Sequence, residues 1–308
     1  MPARLLTGWL PRAGVPKKSV VTIGVFDGVH VAHQQLIRAA IKLAKKKKTT
    51  AGIITFDPDP QHVLDPRHAQ PVLMPIQERL HFLASLDVNW IWVIPFSPRI
   101  ASITAEQFVR QILVERLKVS AVVVGDGFLF GKDRVGTLAV LRKFVSVAAV
   151  ASIRRQGQPV SSSRIRHSIQ QGMLAGACRL LGRLPSIYGS VVNGAGRGRR
   201  LGFPTANIRL MSQALPPQGV YAVRMRFSGQ KRFWPGVMNF GIRPTFGGGP
   251  AVCEVHLFGF HGQLVGKDVE VKLMRHLRNE RCFASPAELQ KQVQNDIRRT
   301  RRLLVSSA

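Results

Sequence analysis

Two patterns of apolar positions divide the chain. From about residue 19 to 155, apolar β-branched runs alternate with amphipathic stretches of helical spacing. The predicted strands span 19–23, 50–56, 90–95 and 119–125, and the predicted helices span 34–44, 77–86, 104–118 and 136–147. Thr104 and Gln107 form a capping-box pattern at the third helix, and the Pro-rich stretch 57–75 is predicted to be a loop. This alternation predicts a parallel sheet with helices on both faces, with ligands at the carboxyl ends of its strands.

Beyond residue 186 the pattern changes to short apolar or alternating runs separated by Gly and Pro turns. The predicted strands span 187–192, 220–227, 232–239, 251–258 and 269–274, and Gly247-Gly248-Gly249 is predicted to be a hairpin turn. An amphipathic helix over 286–304, with Ser285 as its N-cap, closes the chain. Short strands with little helix predict an antiparallel barrel or sandwich. The step from Leu184 to Pro185 is the predicted boundary between domains 1–184 and 185–308.

Composition narrows the class of protein. The 308 residues are 45% hydrophobic, enough for two domains with real cores. Three scattered cysteines and the lack of a sustained apolar leader or span favour a cytoplasmic enzyme that needs no membrane. The net charge of +29 would attract anions. Because the basic runs are dispersed, with two tyrosines and no nucleic-acid motif, we expect phosphorylated small substrates rather than a specific nucleic acid.

A glycine turn between the first predicted strand and helix carries the first candidate site. Gly24, Phe26 and Gly28 are its predicted binding residues, and His30 and His33 stand where the helix begins. Free amides and the positive end of a helix dipole attract anions, so the combination predicts a phosphate site. A plain turn with incidental histidines is the alternative. A zinc site fits less well, because the histidines are three residues apart with no glutamate between them.

A second cluster opens a later helix at 161–166. Its serines, including Ser162 and Ser163, are of the type that caps a helix, which is the simplest interpretation. Arg164 and Arg166 in the first turn oppose the helix dipole, and a bound anion would explain them. We therefore expect this helix start to belong to the same phosphate site.

Several motifs resemble known enzyme families. The Gly24–His33 stretch together with Ser161–Arg166 resembles the H-x-G-H nucleotidyltransferases, and Gly202–Asn207 is similar to the G-x-P-T-A-N signature of riboflavin kinases. Further similar segments lie in the same order at 217–222, 236–246, 254–256 and 277–280. Over nearly the whole chain the pattern resembles bacterial bifunctional riboflavin kinase/FAD synthetases. The resemblance implies an α/β Rossmann-like nucleotidyltransferase domain followed by a β-barrel riboflavin kinase domain with a C-terminal helix.

For the second half, the resemblance implies ATP-dependent phosphorylation of riboflavin to FMN. Thr205 and Asn207 offer oxygen ligands two residues apart, and the resemblance assigns them to Mg²⁺-ATP. It makes Glu254 the general base and places Arg278 on a loop that closes over the flavin. No G-x-x-x-x-G-K-[ST] motif occurs, so the phosphate-covering loop would be the glycine-arginine stretch that contains Gly194, Gly196 and Gly198.

For the first half, the resemblance implies adenylylation of FMN by ATP with release of pyrophosphate. His30 and His33 would stabilise charge at the α-phosphate, as prepositioned donors do. Arg166, with Ser162 and Ser163, would hold the triphosphate. The segment Phe56–Pro60 resembles the family's T-F-x-P-x-P loop near the flavin.

Two positions depart from the family pattern. Ala32 replaces the glycine of H-x-G-H, and Gly127 replaces the acidic or amide residue of V-G-x-[DN]-F-x-F-G. The alternative is therefore a monofunctional riboflavin kinase with an impaired first domain. A basic nucleic-acid-binding protein is the remaining, less favoured alternative.

Overall fold

The computed structural model describes residues 3–9, 16, 18–194, 196, 198, 202–241 and 252–305. The chain divides into two compact units. The first comprises Met1–Pro71 with Ile76–Arg164, and the second comprises Val72–Pro75 with Ile165–Ala308. The boundary predicted after residue 184 lies later in the chain than this division and stays a prediction.

A six-stranded sheet forms the centre of the first unit. Its order is β1-β4-β3-β2-β5-β6, and every neighbouring pair is parallel, as predicted. The strands are β1 (Arg4–Thr7), β2 (Val20–Ile23), β3 (Ala51–Asp57), β4 (Trp90–Pro95), β5 (Ala121–Gly125) and β6 (Val147–Val150). Two edge strands, β1 and β6, were not predicted from the sequence. Both are four residues long and carry exposed positions, unlike β2, whose four residues are all buried.

The strand order reverses between β2 and β5, which are neighbours in the sheet. From β2 the chain proceeds outwards through β3 and β4, and from β5 it proceeds the other way to β6. Open parallel sheets bind ligands in the crevice beyond such a switch point. Gly24 directly follows β2 and Gly125 ends β5, so both glycine turns lie at this crevice.

Helices and turns connect the strands of the first unit. They are α1 (Val31–Lys46), α2 (Pro60–Leu64), α3 (Ile76–Ala84), α4 (Pro98–Ala101), α5 (Ala105–Gln107), a π-helix (Phe108–Arg116) and α6 (Leu138–Arg142). The capping box is confirmed, since the Thr104 N–H donates to Gln107 Oε1 and the Gln107 N–H to Thr104 Oγ1. Two predictions were wrong. The 57–75 loop contains α2, and the helix over 136–147 is limited to α6, because residues 143–146 form a turn before β6. The core centres on Trp90, Trp92 and Phe108.

A closed antiparallel barrel forms the second unit, as predicted. Its order is β10-β13-β12-β11-β14-β9. The barrel strands are β9 (Ser186–Val192), β10 (Ala206–Leu210), β11 (Gly219–Phe227), β12 (Trp234–Gly241), β13 (Val252–Leu257) and β14 (Asp268–Arg278). Two shorter strands, β7 (Arg154–Arg155) and β8 (Gln158–Pro159), form a separate hairpin in the first unit. Tyr221, Met238 and Val255 are among the side chains that fill the barrel core.

Three further helices accompany the barrel in the chain: α7 (Ser162–Gln170), within which the two units divide, α8 (Leu174–Leu181) and α9 (Pro286–Val305). The N-cap prediction for α9 is confirmed, because the Glu288 N–H donates to Ser285 Oγ at 3.2 Å. The predicted hairpin turn at Gly247-Gly248-Gly249 lies outside the described residues.

Candidate active sites

The first site is built on the turn between β2 and α1. A 3-10 turn at Asp27–Val29 follows Phe26, whose backbone is left-handed at φ 56°. Gly28 inside this turn has φ 74°, a conformation that glycine adopts without a Cβ penalty. The turn is fixed to β3, because the Gly24 N–H donates to the Ile54 carbonyl at 3.1 Å and the Thr55 hydroxyl donates to the Val25 carbonyl at 3.0 Å. The predicted strand, glycine turn and helix start are therefore present as one structure.

The two histidines form a stacked pair at the start of α1. Their ring centroids are 3.5 Å apart with 19° between the planes, and Phe26 meets His33 edge-on at 5.3 Å. His30 is the N-cap residue and is only 3% exposed, whereas His33 is half-buried. The His33 N–H donates to His30 Nδ1 at 3.4 Å, so in neutral His30 the proton belongs on Nε2. Nε2–H and the helix amides are then donors for an anion.

The predicted serines lie at the start of α7. Ser162 Oγ donates to the Asp27 carbonyl at 3.0 Å, which connects this helix start to the glycine turn. Ser163 is exposed in the same first turn of the helix. Arg166 follows one turn along α7 and is 6% exposed. The structure thus brings Ser162 to the Gly24–His33 turn, while the joint role of Arg166 stays a prediction.

The turn after β5 contains Gly127, which replaces the acidic or amide residue of the V-G-x-[DN]-F-x-F-G pattern. A Cβ at residue 127 would have no heavy atom within 4 Å, so a side chain would fit there. The neighbouring Asp126 carboxylate accepts from the Ser152 hydroxyl at 2.5 Å and from the Gly127 N–H at 2.9 Å. The Ser152 hydroxyl holds the pKa of Asp126 below its usual value. The Asp126 carboxylate is thus engaged by Ser152 and by the turn itself.

The second site lies on the outer face of the barrel, where three polar residues share one register row. Asn207 on β10 and Asn239 on β12 each pair with Glu254 on β13. The residues beside Glu254, Cys253 and Val255, are fully buried, so Glu254 points away from the barrel core. Directly paired residues of antiparallel strands have Cβ atoms about 5 Å apart. The barrel register therefore brings the predicted base and one predicted Mg²⁺ ligand together.

Two of the predicted glycines pack on the predicted metal ligands. A Cβ at Gly194 would overlap the Asn207 amide, with Oδ1 at 2.9 Å. A Cβ at Gly198 would lie 3.0 Å from Thr205 Oγ1. Gly196, between them, is exposed. The backbone at Gly194 and Gly198 thus approaches Asn207 and Thr205 as closely as only glycine permits, and the role of these glycines in covering a phosphate stays a prediction.

Arg278 is not where the resemblance predicted. It is the last residue of β14 rather than part of a loop, because the strand continues four residues beyond its predicted end. Its guanidinium binds the buried carboxylate of Asp296 on α9, with Nη2 and Nε 2.9 and 3.0 Å from Oδ2. Arg278 therefore attaches the C-terminal helix to the barrel, and its contact with a flavin stays a prediction.

A cavity of about 650 Å³ opens beside the second site. It is lined by residues of the Gly202–Pro204 segment, by His256 and the following segment to His261, and by α9. His256 Nδ1 lies 2.9 Å from the Pro204 carbonyl oxygen, and α9 contributes Arg298 and Arg301. These α9 residues were not predicted from the sequence, since arginines spaced along an amphipathic helix are typical of a solvated face. Among the described residues, no three His, Cys, Asp or Glu side chains form a metal-binding group.

Comparisons with known proteins match both halves of the chain. The family model described as FAD synthetase matches residues 13–164, and the one described as riboflavin kinase matches 181–304. The bifunctional riboflavin kinase/FMN adenylyltransferase of Escherichia coli (strain K12) is 36% identical over 282 residues, 90% of each chain. That of Bacillus subtilis (strain 168) is 35% identical over 290 residues, 91% of this chain and 90% of the relative.

The chain belongs to the bifunctional riboflavin kinase/FMN adenylyltransferase family. Both halves are matched, so the family-level interpretation holds over the kinase-only alternative. A crystal structure from Streptococcus pneumoniae, described as a macrolide-efflux protein, has a TM-score of 0.86 at 31% identity and covers 96% of this chain and 99% of its own. In the described part of this chain, no helix has the length and apolar character needed to cross a membrane.

Proposed function

We propose that this chain uses ATP to phosphorylate riboflavin to FMN and then adenylylates FMN to FAD, releasing pyrophosphate. The observation that carries the proposal is that each unit contains its own arrangement of groups for phosphate chemistry. The first has a stacked histidine pair at a helix start, and the second has Glu254 in register with Asn207 under a glycine loop.

In the kinase reaction, Glu254 accepts the proton of the ribityl 5′-hydroxyl as that oxygen attacks the γ-phosphorus of ATP. The bond from phosphorus to the bridging oxygen breaks, and ADP leaves. A general base needs hydrogen-bond reach of the hydroxyl, and Glu254 on the outer barrel face is accessible for this role. The backbone at Gly194 lies close to Asn207 and that at Gly198 close to Thr205, and amides of this loop would cradle the phosphates there.

The donor set at Thr205 and Asn207 fits Mg²⁺, which prefers oxygen ligands and is bound in kinases by few protein groups together with phosphates. The glycine backbone approaches the Asn207 amide at Gly194 and the Thr205 hydroxyl at Gly198. Thr205 and Asn207 would hold the ion. When bound, Mg²⁺ neutralises charge that develops on the transferred phosphoryl group.

The cavity beside Pro204 is the proposed position of the adenosine of ATP. Its walls include Phe203, Phe258 and Phe260, whose rings suit a stacked base. Arg298 and Arg301 add positive charge where a nucleotide would lie. Pro204, the residue directly before Thr205, lines the cavity. A nucleotide bound in the cavity would therefore extend its phosphates towards the glycine loop.

In the adenylyl transfer, a phosphate oxygen of FMN attacks the α-phosphorus of ATP and pyrophosphate leaves. No covalent enzyme intermediate is needed. His30 Nε2–H and the first amides of α1 donate to the oxygens that gain charge, which lowers the barrier because the donors are already in place. Ser162, Ser163 and Arg166 hold the triphosphate, and the Phe56–Pro60 segment contacts the flavin. The three cysteines are free, which fits the cytoplasmic location that we expect.

A pair of separating variants tests the two-site proposal. Glu254→Gln removes the base but keeps its shape, so FMN formation should fall about 10²- to 10⁴-fold while FAD formation from supplied FMN is unchanged. The double variant His30→Asn, His33→Asn should lose FAD formation from supplied FMN while FMN formation from riboflavin is unchanged. Exposed Glu115→Gln and His68→Asn are the matched controls. Loss of both activities by either variant, with the melting temperature unchanged, would show that the two sites are assigned wrongly.

A further inference from the structure

Arg79 is a buried arginine that the two proposed sites do not use. It lies on α3, which packs on the Asp27–Val29 turn, and it is only 3% exposed. Its Nη2 donates to the carbonyl oxygen of Phe56 at 2.9 Å. Phe56 begins the Phe56–Pro60 segment. One guanidinium thus links α3 to the end of β3.

Negative charges in the Asp27–Val29 turn and in the Phe56–Pro60 segment act on this guanidinium. Burial lowers the pKa of Arg79, while the negative charges of Asp27, Asp57 and Asp59 act in the opposite direction. Asp27 lies in the turn that precedes His30 and is itself 2% exposed, and Asp57 and Asp59 lie in the Phe56–Pro60 segment. Because a charge in a dry interior requires partners, these negative charges stabilise the Arg79 cation.

The hydrogen bonding of Arg79 is incomplete. Within the described part of the chain, its buried Nε has no hydrogen-bond partner. Leaving a charged donor unsatisfied costs stability, and groups of this kind that persist in folded proteins call for an explanation beyond packing. The planar guanidinium of an arginine can donate to several acceptors at fixed angles, which the ammonium group of a lysine cannot do.

We propose that Arg79 is a positioning residue for adenylyl transfer: it fixes the Phe56–Pro60 segment against the Asp27–Val29 turn, so that the flavin and the nucleotide meet in one geometry. The inference rests on the proposed function of the first site. It assigns Arg79 no contact with the reacting atoms. Its effect on the reaction passes through Phe56 and Asp27.

The test compares Arg79→Met, Arg79→Lys and the exposed control Arg142→Met with the unchanged full-length chain. Arg79→Met should raise the KM for FMN at least about tenfold, since an error of about 1 Å in positioning costs up to about 10²-fold. Arg79→Lys keeps the charge and should recover part of the loss. Riboflavin phosphorylation should stay unchanged in all variants and serves as the internal control.

The KM separates positioning from loss of folded protein. A structural defect alone would lower the apparent kcat and leave the KM for FMN unchanged, and that result would overturn the proposal. An unchanged KM and kcat in Arg79→Met would overturn it equally.

Amide hydrogen exchange gives a readout that does not need the reaction. In Arg79→Met, exchange should be faster than in the unchanged chain in residues 24–30 and 56–64, and it should be unchanged in β11. If the variant and the unchanged chain exchange at the same rate in residues 24–30 and 56–64, the inference is contradicted. If the unchanged chain makes no FAD from FMN and ATP, the proposed function fails. The exchange result still decides whether Arg79 fixes the two segments.

Discussion

Replacing Gly194 by alanine tests the close approach of the glycine loop to Asn207. Real Cβ atoms essentially never come within 3.0 Å of such neighbours, yet a Cβ at 194 would overlap the amide of Asn207. The backbone at 194 is not in the left-handed region, so the cost is one of space rather than conformation. The Asn207 side chain or the loop must therefore move by roughly 1 Å, which costs about 10²-fold in rate, or about 2.7 kcal/mol of barrier.

The assay is the initial rate of FMN formation from riboflavin and ATP, with FAD formation from FMN measured on the same sample. We expect Gly194→Ala to lose the first activity and keep the second. Gly176→Ala is the control, because the nearest atom to its Cβ would be 3.9 Å away. In an Asn207→Ala background, Gly194→Ala should add little, since the overlapping amide is gone. Wild-type kinase activity in folded Gly194→Ala, or an equal loss in both backgrounds, would refute the reasoning.

Two further predictions concern single residues. Gly127→Asn should fold as the unchanged chain does, because a Cβ at this position meets no heavy atom within 4 Å. The variant should also form FAD from FMN faster than the unchanged chain. A lower melting temperature or a slower rate of FAD formation would contradict this. Burial raises the pKa of Cys253 to about 12, whereas Cys282 is exposed. Because the thiolate is the reactive form, iodoacetamide at pH 8 should label Cys282 in the native protein and Cys253 only after unfolding, as mass spectrometry of peptides would show.

The sequence predicted the parts of the fold that depend on local pattern. The span of β4 and the capping box at Thr104 agree with the structure, because apolar runs and capping side chains act over a few residues. Strand β10 was not predicted as a strand, since it is short and begins directly after the Pro204-Thr205 step. The edge strand β6 was not predicted either, and the predicted helix over 136–147 overlaps it only at Val147.

The sites were predictable in part. The glycine turn with its histidines has a local signature, and the structure has the predicted strand, turn and helix start there. That Glu254 is the neighbour of Asn207 depends on the register of strands almost fifty residues apart, which no local pattern contains. Arg79 was missed because an arginine in an amphipathic helix is usually solvated, and its burial follows from how α3 packs on the Asp27–Val29 turn.

A time course on the unchanged chain tests the central claim most directly. The protein is incubated with riboflavin, ATP and Mg²⁺, and flavins and pyrophosphate are quantified by chromatography. The account predicts that FMN rises first and is then converted to FAD, with one pyrophosphate released for each FAD. FMN that accumulates as the final flavin, with no FAD above a protein-free blank, would contradict it.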